Sequence, residues 1–415
     1  MKKKALLALC LLTALCVLSA CSALPLTTLR SMFPDGDSAP AAAVGEDSVV
    51  ISKAAYERYR KFDTLIEMMD MVDERFYEEA DEETMLQGAA AGLLSALGDP
   101  YTFYYTPDEF AKLWEDDEGH YVGIGVMIQA SYVTNLCTIT RVFKGGPAEA
   151  AGVQKGDILY RVGEDLYVTA QNLDEAVSIM RGVEGTDVDV TFLRKGEEMT
   201  FTITRRGVTV NRIENGVLDN DIGYICLYEF AGDSDREFKE ALDELMEKNI
   251  KSLIIDLRGN GGGWVDHAQS IGDLFLDSGV LCYMEDKHGE RKYYYTTEGK
   301  VDIPLTILVD QNTASASEIL TGALQDRAGA TVVGVQSYGK GIVQQVQAVG
   351  TQGAGMQITI EQYYTPNGHA VHKIGITPDV ICEMPEDAPT MYDFGDLSDV
   401  QLKKAYDVAL EKIQP

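Results

Sequence analysis

The sequence predicts a multidomain α/β protein with an N-terminal helical region, a small β-rich domain and a larger α/β core. Three observations predict it. At 415 residues the chain is too long for one ordinary domain. Its apolar pattern changes period twice, from helical spacing to short glycine-separated β-runs near Gly119, then to strand–helix alternation from Val208. Hydrophobic residues make up 45% of it, enough to fill more than one core. The formal charge is −31 and the pI 4.4. A surface this acidic repels phosphate backbones, so nucleic acid is excluded as a partner.

Lys2, Lys3 and Lys4 precede an apolar run, Ala5 to Val17, that is short for a membrane span. Leu18-Ser19-Ala20-Cys21 follows, and small residues before a cysteine at this place resemble a bacterial lipoprotein processing site. The resemblance implies a signal peptide over 1–21, cleavage before Cys21, and a lipid anchor on that cysteine at the extracytoplasmic face of the membrane. Ordinary cleavage after a small residue is the other reading. Residues 22–48, rich in Pro, Ala, Ser, Gly and Asp, read as a tether.

The region 49–118 follows helical spacing. Tyr59, Phe62, Leu65, Ile66 and Met69 recur at three and four, as do Met85, Ala89, Leu93 and Leu97 at four, with Gly98-Asp99-Pro100 as a stop. Packing is the plain role for such helices, and a homodimer contact the sharper one.

The region 119–206 consists of β-runs broken by glycine: Gly123-Ile124-Gly125-Val126, CTITRVF, Gly146-Pro147-Ala148-Glu149-Ala150-Ala151-Gly152 and GDILYRVGEDLY. A helix from Leu173 to Met180 and two further strands complete it. In this order the pieces resemble a PDZ domain. That resemblance implies that the turn Gly123, Ile124, Gly125 and Val126 offers N–H groups to a peptide's terminal carboxylate while the peptide adds as a strand.

In the region 207–385 near-continuous apolar strands alternate with helices, which predicts a mainly parallel, buried sheet. The region 386–415 reads as an acidic tail with one helix, Asp399 to Ile413. Of seven cysteines, Cys137, Cys226, Cys282 and Cys382 fall in the folded regions. They stand in apolar, strand-like contexts without ligand spacing, and so read as buried free thiols. No metal is expected.

Three stretches could carry chemistry. In LTILVDQNTASASEILTGALQD a buried strand runs into small residues and a helix, so Ser315 stands at a strand-to-helix turn beside free helical N–H groups. Ser315-Ala316-Ser317-Glu318 equally fits a capping box, in which the hydroxyl has no chemical role. Asp256-Leu257-Arg258-Gly259-Asn260-Gly261-Gly262-Gly263 follows another strand, and its glycines leave backbone N–H groups approachable. In Tyr338-Gly339-Lys340-Gly341 the flanking glycines permit close packing around the lysine, which must be desolvated to act as a base. Gln344 lies beside Lys340 if the segment is helical, and well away if it is extended. Five histidines are present, and none stands in a recognisable nucleophile–base pattern.

With GAAAGLLSALGDPYTFYYTP, DLRGNGGG, NTASASEIL, SYGKGIVQ and YYTPNGHAVHKIGITPDV in series, the chain resembles the carboxyl-terminal processing proteases, PDZ-bearing Ser/Lys peptidases. The resemblance implies a crotonase/Clp-protease-like α/β spiral core over 207–385. It places the nucleophile on Ser315, the general base on Lys340 and a lysine-supporting glutamine on Gln344. The oxyanion donors fall on Gly262 or Gly263 and on Ala316. It further implies protein or peptide substrates with apolar free C-termini, no cofactor, and Arg181 as a candidate sensor of the bound peptide. Thr313, Gly261 and Tyr338 depart from the family's usual residues, and the second leaves the choice of oxyanion glycine open. A catalytically inactive PDZ scaffold and a different acyl hydrolase are the rival readings.

Overall fold

The computed structural model describes residues 49–131, 134–297, 301–385 and 392–414. The signal, Cys21 and the tether lie outside the described residues. The chain divides into two compact units after Glu82.

In the first unit, α1 (Lys53–Tyr59) leads through a 3-10 turn at Arg60–Phe62 into α2 (Asp63–Arg75). The Ser52 hydroxyl caps α1 by accepting from Ala55 N–H at 3.1 Å. The helical periodicity is realised, but no residue of α1 or α2 is buried.

The second unit opens with α3 (Glu82–Ser95) and then departs from the helical expectation. Phe103–Tyr105 is a strand, β1, paired antiparallel with Gly355–Gln357 far along the chain. A three-residue strand is too short for periodicity to reveal, and a distant partner makes it one. Helix α4 (Pro107–Glu118) follows.

The small β domain runs through β2 (His120–Gly123), β3 (Val126–Ser131), β4 (Leu136–Val142), α5 (Pro147–Ala151), β5 (Ile158–Val162), β6 (Leu166–Tyr167), α6 (Leu173–Met180), β7 (Asp187–Arg194), β8 (Glu197–Thr204) and β9 (Arg206–Thr209). Helix α6 takes the residues that its pattern predicted. Ile139, Leu159, Val190 and Phe192 centre its core. Strand β2 leaves the sheet of β3, β4, β5, β7 and β8 and pairs with β9 instead.

The larger core holds a six-stranded sheet in the order β10 (Ile213–Leu218), β11 (Ile222–Leu227), β12 (Ser252–Asp256), β15 (Leu305–Val309), β16 (Thr331–Gly334) and β19 (Val380–Ile381). Only the β10–β11 pairing is antiparallel. Alternate residues of the middle strands enter two different cores. Ile225, Leu253, Ile255 and Ile307 face the layer of α7 (Ser234–Glu247), α8 (Val265–Asp273) and α9 (Ala316–Ala328). Tyr224, Cys226, Ile254, Leu308 and Val333 face α10 (Val400–Glu411). Both faces being covered, the strands read as unbroken apolar runs. Burial at each Leu, Ile or Phe contributes about 1.5–3 kcal/mol.

The helix expected at the end of the acidic tail forms as α10 and packs into the second core. Leu402, Ala405 and Tyr406 are buried in the second core, and Asp399 caps the helix by accepting from the Gln401 and Leu402 N–H groups. Arg258 joins Asp256 to Asp399 at 2.7 Å each. Its helical end is therefore an integral layer. A second, antiparallel sheet holds β1, β18 (Gly355–Tyr364), β13 (Gly279–Asp286) and β14 (Arg291–Thr296), with β17 (Ile342–Ala348) paired to β18. Cys137, Cys226 and Cys282 are buried free thiols and Cys382 is half-buried.

Candidate active site

Ser315 is at the junction of a fully buried strand and a largely buried helix. After β15 the chain is stitched to the loop that follows β12. Thr313 Oγ1 donates to Leu257 O at 2.8 Å, Ala314 N–H to Asn260 O at 3.0 Å, and Ser317 Oγ to the same oxygen at 3.0 Å. Held this way, Ser315 adopts φ 59° and ψ −121°. A serine that merely caps a helix keeps an extended, negative-φ backbone. Positive φ at a non-glycine costs about 1–3 kcal/mol and persists only where packing enforces it. The same sharp strand-to-helix geometry exposes a nucleophilic serine in other hydrolases.

The glycine run packs directly against this turn. A Cβ on Gly262 would lie 2.7 Å from Ala314 O and from Ser315 Cβ, and one on Gly263 2.1 Å from Phe230 O. These two glycines have φ of +101° and +138°, where only glycine is unstrained. Their amides differ. Of the two glycines expected as oxyanion donors, Gly262 has its N–H already engaged by Asn260 Oδ1 at 2.9 Å. Gly263 N–H has no acceptor among the described residues, because the bridge to Phe230 uses Gly262 O and Trp264 N–H. Ala316 N–H, in the first turn of α9, is equally without one. Two free donors thus flank Ser315.

Glu318 is wholly buried and accepts from both sides of the site. Its Oε2 takes Ser315 N–H and Lys340 N–H, each at 2.9 Å, and its Oε1 takes Gly339 N–H at 2.8 Å. Ser337 Oγ and Tyr363 OH add two further bonds. A buried carboxylate is tolerable when its lone pairs are filled in this way. The capping-box reading holds, with Ser315 and Glu318 reciprocally placed at the start of α9, and Glu318 has in addition a second set of bonds across the site.

Lys340 is half-buried in the turn before β17. Gly339 and Gly341 permit that turn, since a Cβ on Gly341 would lie 2.1 Å from His372 N. Burial pushes the lysine amine below its ordinary value, and the charges of Asp99 and Glu318 act in the opposite direction. The ammonium lies 4.8 Å from the centre of the Tyr101 ring. No hydrogen bond among the described residues joins Lys340 Nζ to Ser315 Oγ. Gln344 is extended in β17, which resolves its open geometry, and its amide donates to Thr359 Oγ1 at 3.2 Å rather than meeting Lys340. His267 bonds Ser234, and His120 bonds Thr209. Among the described residues no histidine hydrogen-bonds Ser315.

In the small β domain a cavity of about 270 Å³ is lined by Ile124, Val126, Phe143, Val177, Met180 and Arg181. It is mainly apolar, and the N–H groups of Ile124 and Gly125 carry no bond to other described residues. Gly123 closes β2 just before them. The Arg181 guanidinium stacks on Tyr121 at 4.8 Å. Sequence reasoning missed Asp99, Tyr101, Asn260 and Tyr363. The GDPY stretch that holds the first two signalled only a helix stop.

Comparison with known proteins places the chain in a family. Residues 221–382 match Peptidase family S41, residues 138–194 a PDZ domain, and residues 35–108 the activating protease CtpB N-terminal domain. The carboxy-terminal processing protease CtpA of Bacillus subtilis (strain 168) is 31% identical over 351 residues, covering 84% of this chain and 74% of that protein. The carboxyl-terminal-processing protease of Synechocystis sp. is 34% identical over 326 residues, 76% of this chain and 75% of that one. A solved photosystem II D1 C-terminal processing protease superposes with a TM-score of 0.54 at 27% identity, covering 85% of this chain and 97% of that one. The chain belongs to peptidase family S41, the carboxyl-terminal processing proteases, and couples an S41 core to a PDZ domain.

Proposed function

We propose that this chain is a serine endopeptidase that cleaves exported proteins near their C-termini. Ser315 is the nucleophile and Lys340 the general base. The observation that carries this reading is the strained Ser315 backbone flanked by two unused donors, Gly263 N–H and Ala316 N–H. Neutral Lys340 takes the Ser315 proton as the hydroxyl oxygen attacks the peptide carbonyl. The tetrahedral oxyanion rests on the two N–H groups, and a single such donor is worth on the order of a hundredfold or more in kcat. The lysine ammonium then protonates the leaving amine. Water, deprotonated by the lysine in turn, releases the acyl group and regenerates Ser315.

The PDZ domain docks the substrate's apolar C-terminus. Its carboxylate lies on the free Ile124 and Gly125 amides and its last side chain in the adjoining cavity, with Arg181 sensing the charge. That no hydrogen bond among the described residues joins Lys340 Nζ to Ser315 Oγ fits an enzyme whose dyad closes when that peptide binds, so that remote binding energy drives activation. Lipidation of Cys21 holds the enzyme at the extracytoplasmic face of the membrane. The exposed apolar residues of α1 and α2, Tyr59 and Ile66 among them, support a homodimer. Peptides with apolar tails should be cleaved by the wild type and left intact by Ser315→Ala and Lys340→Ala. Full activity in either variant would sink the dyad. A wild type that binds such tails but never cleaves them would favour the inactive scaffold. Mass spectrometry of the mature N-terminus, finding an unmodified Cys21, would remove the lipoprotein.

A further inference from the structure

The turn between α3 and β1 supplies the surroundings of the Lys340 amine. Asp99 Oδ1 accepts from Tyr101 N–H at 3.1 Å and Oδ2 from Thr102 Oγ1 at 2.7 Å. Thr102, itself buried, accepts from Thr359 N–H at 3.0 Å, which fastens the turn to β18. Thr359 Oγ1 in turn accepts from Gln344 Nε2 at 3.2 Å, so the chain of bonds runs from Asp99 through Thr102 and Thr359 to the glutamine. Tyr101 O is held from the other side by Gln357 Nε2 at 3.1 Å. One carboxylate therefore organises the ring against which the lysine rests and the glutamine strand beside it.

We propose that Asp99 is a positioning residue of the dyad, which fixes the Tyr101 ring that stations the Lys340 amine and ties the Gln344 strand to that ring. This rests on the Ser315/Lys340 reading above. The groups beside the amine are Asp99 and Tyr101 from this turn and Glu318 from α9; Tyr338 from the lysine's own loop meets the Tyr101 hydroxyl, and His372 feels both Asp99 and Lys373. Of these, Asp99 and Glu318 are the anions acting on Lys340, and Glu318 is the one that also accepts from the Ser315 and Lys340 backbones, both through Oε2.

The experiment measures kcat and KM against pH for the full chain and its Asp99→Asn, Asp99→Ala, Ser315→Ala and Lys340→Ala variants, with thermal melts as a check of folding. Asp99→Asn keeps an acceptor for the turn but removes the charge. Losing an anion beside the ammonium favours the neutral amine, so the acid limb of kcat/KM moves to lower pH while KM stays within about twofold. Asp99→Ala also loses the turn, and kcat at the plateau falls on the order of tenfold. An Asp99→Asn limb that overlays the wild type, or an Asp99→Ala plateau equal to it, overturns the proposal. The dyad reading stands in that case so long as Ser315→Ala and Lys340→Ala are inactive. If those two still cleave, the dyad reading fails and takes this proposal with it. Should Asp99→Ala not fold, the Asp99→Asn profile decides alone.

Discussion

Ser315 and Lys340 sit on either side of one buried carboxylate, yet they are held very differently. Around Ser315 every backbone group is placed: the strand behind it is fully buried, the glycine run is in van der Waals contact, and the carbonyl accepts from Tyr363 OH at 3.1 Å. Lys340 is fixed through its backbone alone. Its N–H binds Glu318, while its amine rests on an aromatic face without a hydrogen bond among the described residues. The Ser315 half stores backbone strain and is held on every side; the Lys340 half is anchored at its backbone, with its amine free of hydrogen bonds to the described residues.

The largest test of this contrast is Glu318→Ala, since Glu318 is the group both halves share. Removing a wholly buried acceptor orphans Ser315 N–H, Lys340 N–H and Gly339 N–H together. Stability should fall by about 3–5 kcal/mol, and cleavage should drop below detection. Chemical denaturation followed by peptide assay measures both. A variant that unfolds like the wild type would mean that the halves do not depend on one bridge.

Lys340→Met should move stability the other way. Burial depresses the lysine's proton affinity, so near neutral pH the unfolded chain binds protons more readily than the native one at this site. Native stability at this group therefore rises with pH, and its penalty disappears only above the ordinary lysine value of 10.5. The Met variant should be inactive but about 1 kcal/mol more stable at pH 7, with the gap narrowing as pH approaches 10.5. Melts at the two ends of that window check it. A gap that widens with pH would reverse the assignment of the base half as strained by desolvation.

Tyr101 should give the smallest effect. Tyr101→Phe loses the hydroxyl contact to Tyr338 at 3.2 Å but keeps the ring. Activity should change by less than about twofold. Tyr101→Ala also loses the cation–π contact, worth about 0.5–1 kcal/mol at a partly exposed site, and kcat should fall about two- to fivefold. Equal kcat values for the Phe and Ala variants would show that the ring does not station the amine.

Much of this molecule was legible beforehand. The parallel strands announced themselves because both faces are buried, and α6 because its amphipathic spacing stands between clear breaks. The order of DLRGNGGG, NTASASE and YGKG carried the site. What stayed hidden depended on partners remote in sequence. Phe103–Tyr105 is a strand only because Gly355–Gln357 lies beside it. Glu318 looked like a local cap because its i−3 partner is visible in sequence, whereas Gly339 and Lys340 are not. Asp99 looked like a helix stop, since nothing local connects it with Thr359.

By itself, then, the sequence determined the elements, the two-faced core, the glycines that allow close approach, and the residue types available for chemistry. These follow from periodicity and from the conformational freedom of single residues, which are local properties. Only the tertiary structure decided that Ser315 has a positive φ, that Gly263 rather than Gly262 keeps a free amide, that α10 is a core layer, and that the Lys340 amine rests on Tyr101. Each of these is imposed by contacts between segments far apart in the chain. A serine enters that region of backbone space only when its surroundings cost more to rearrange than the strain it bears.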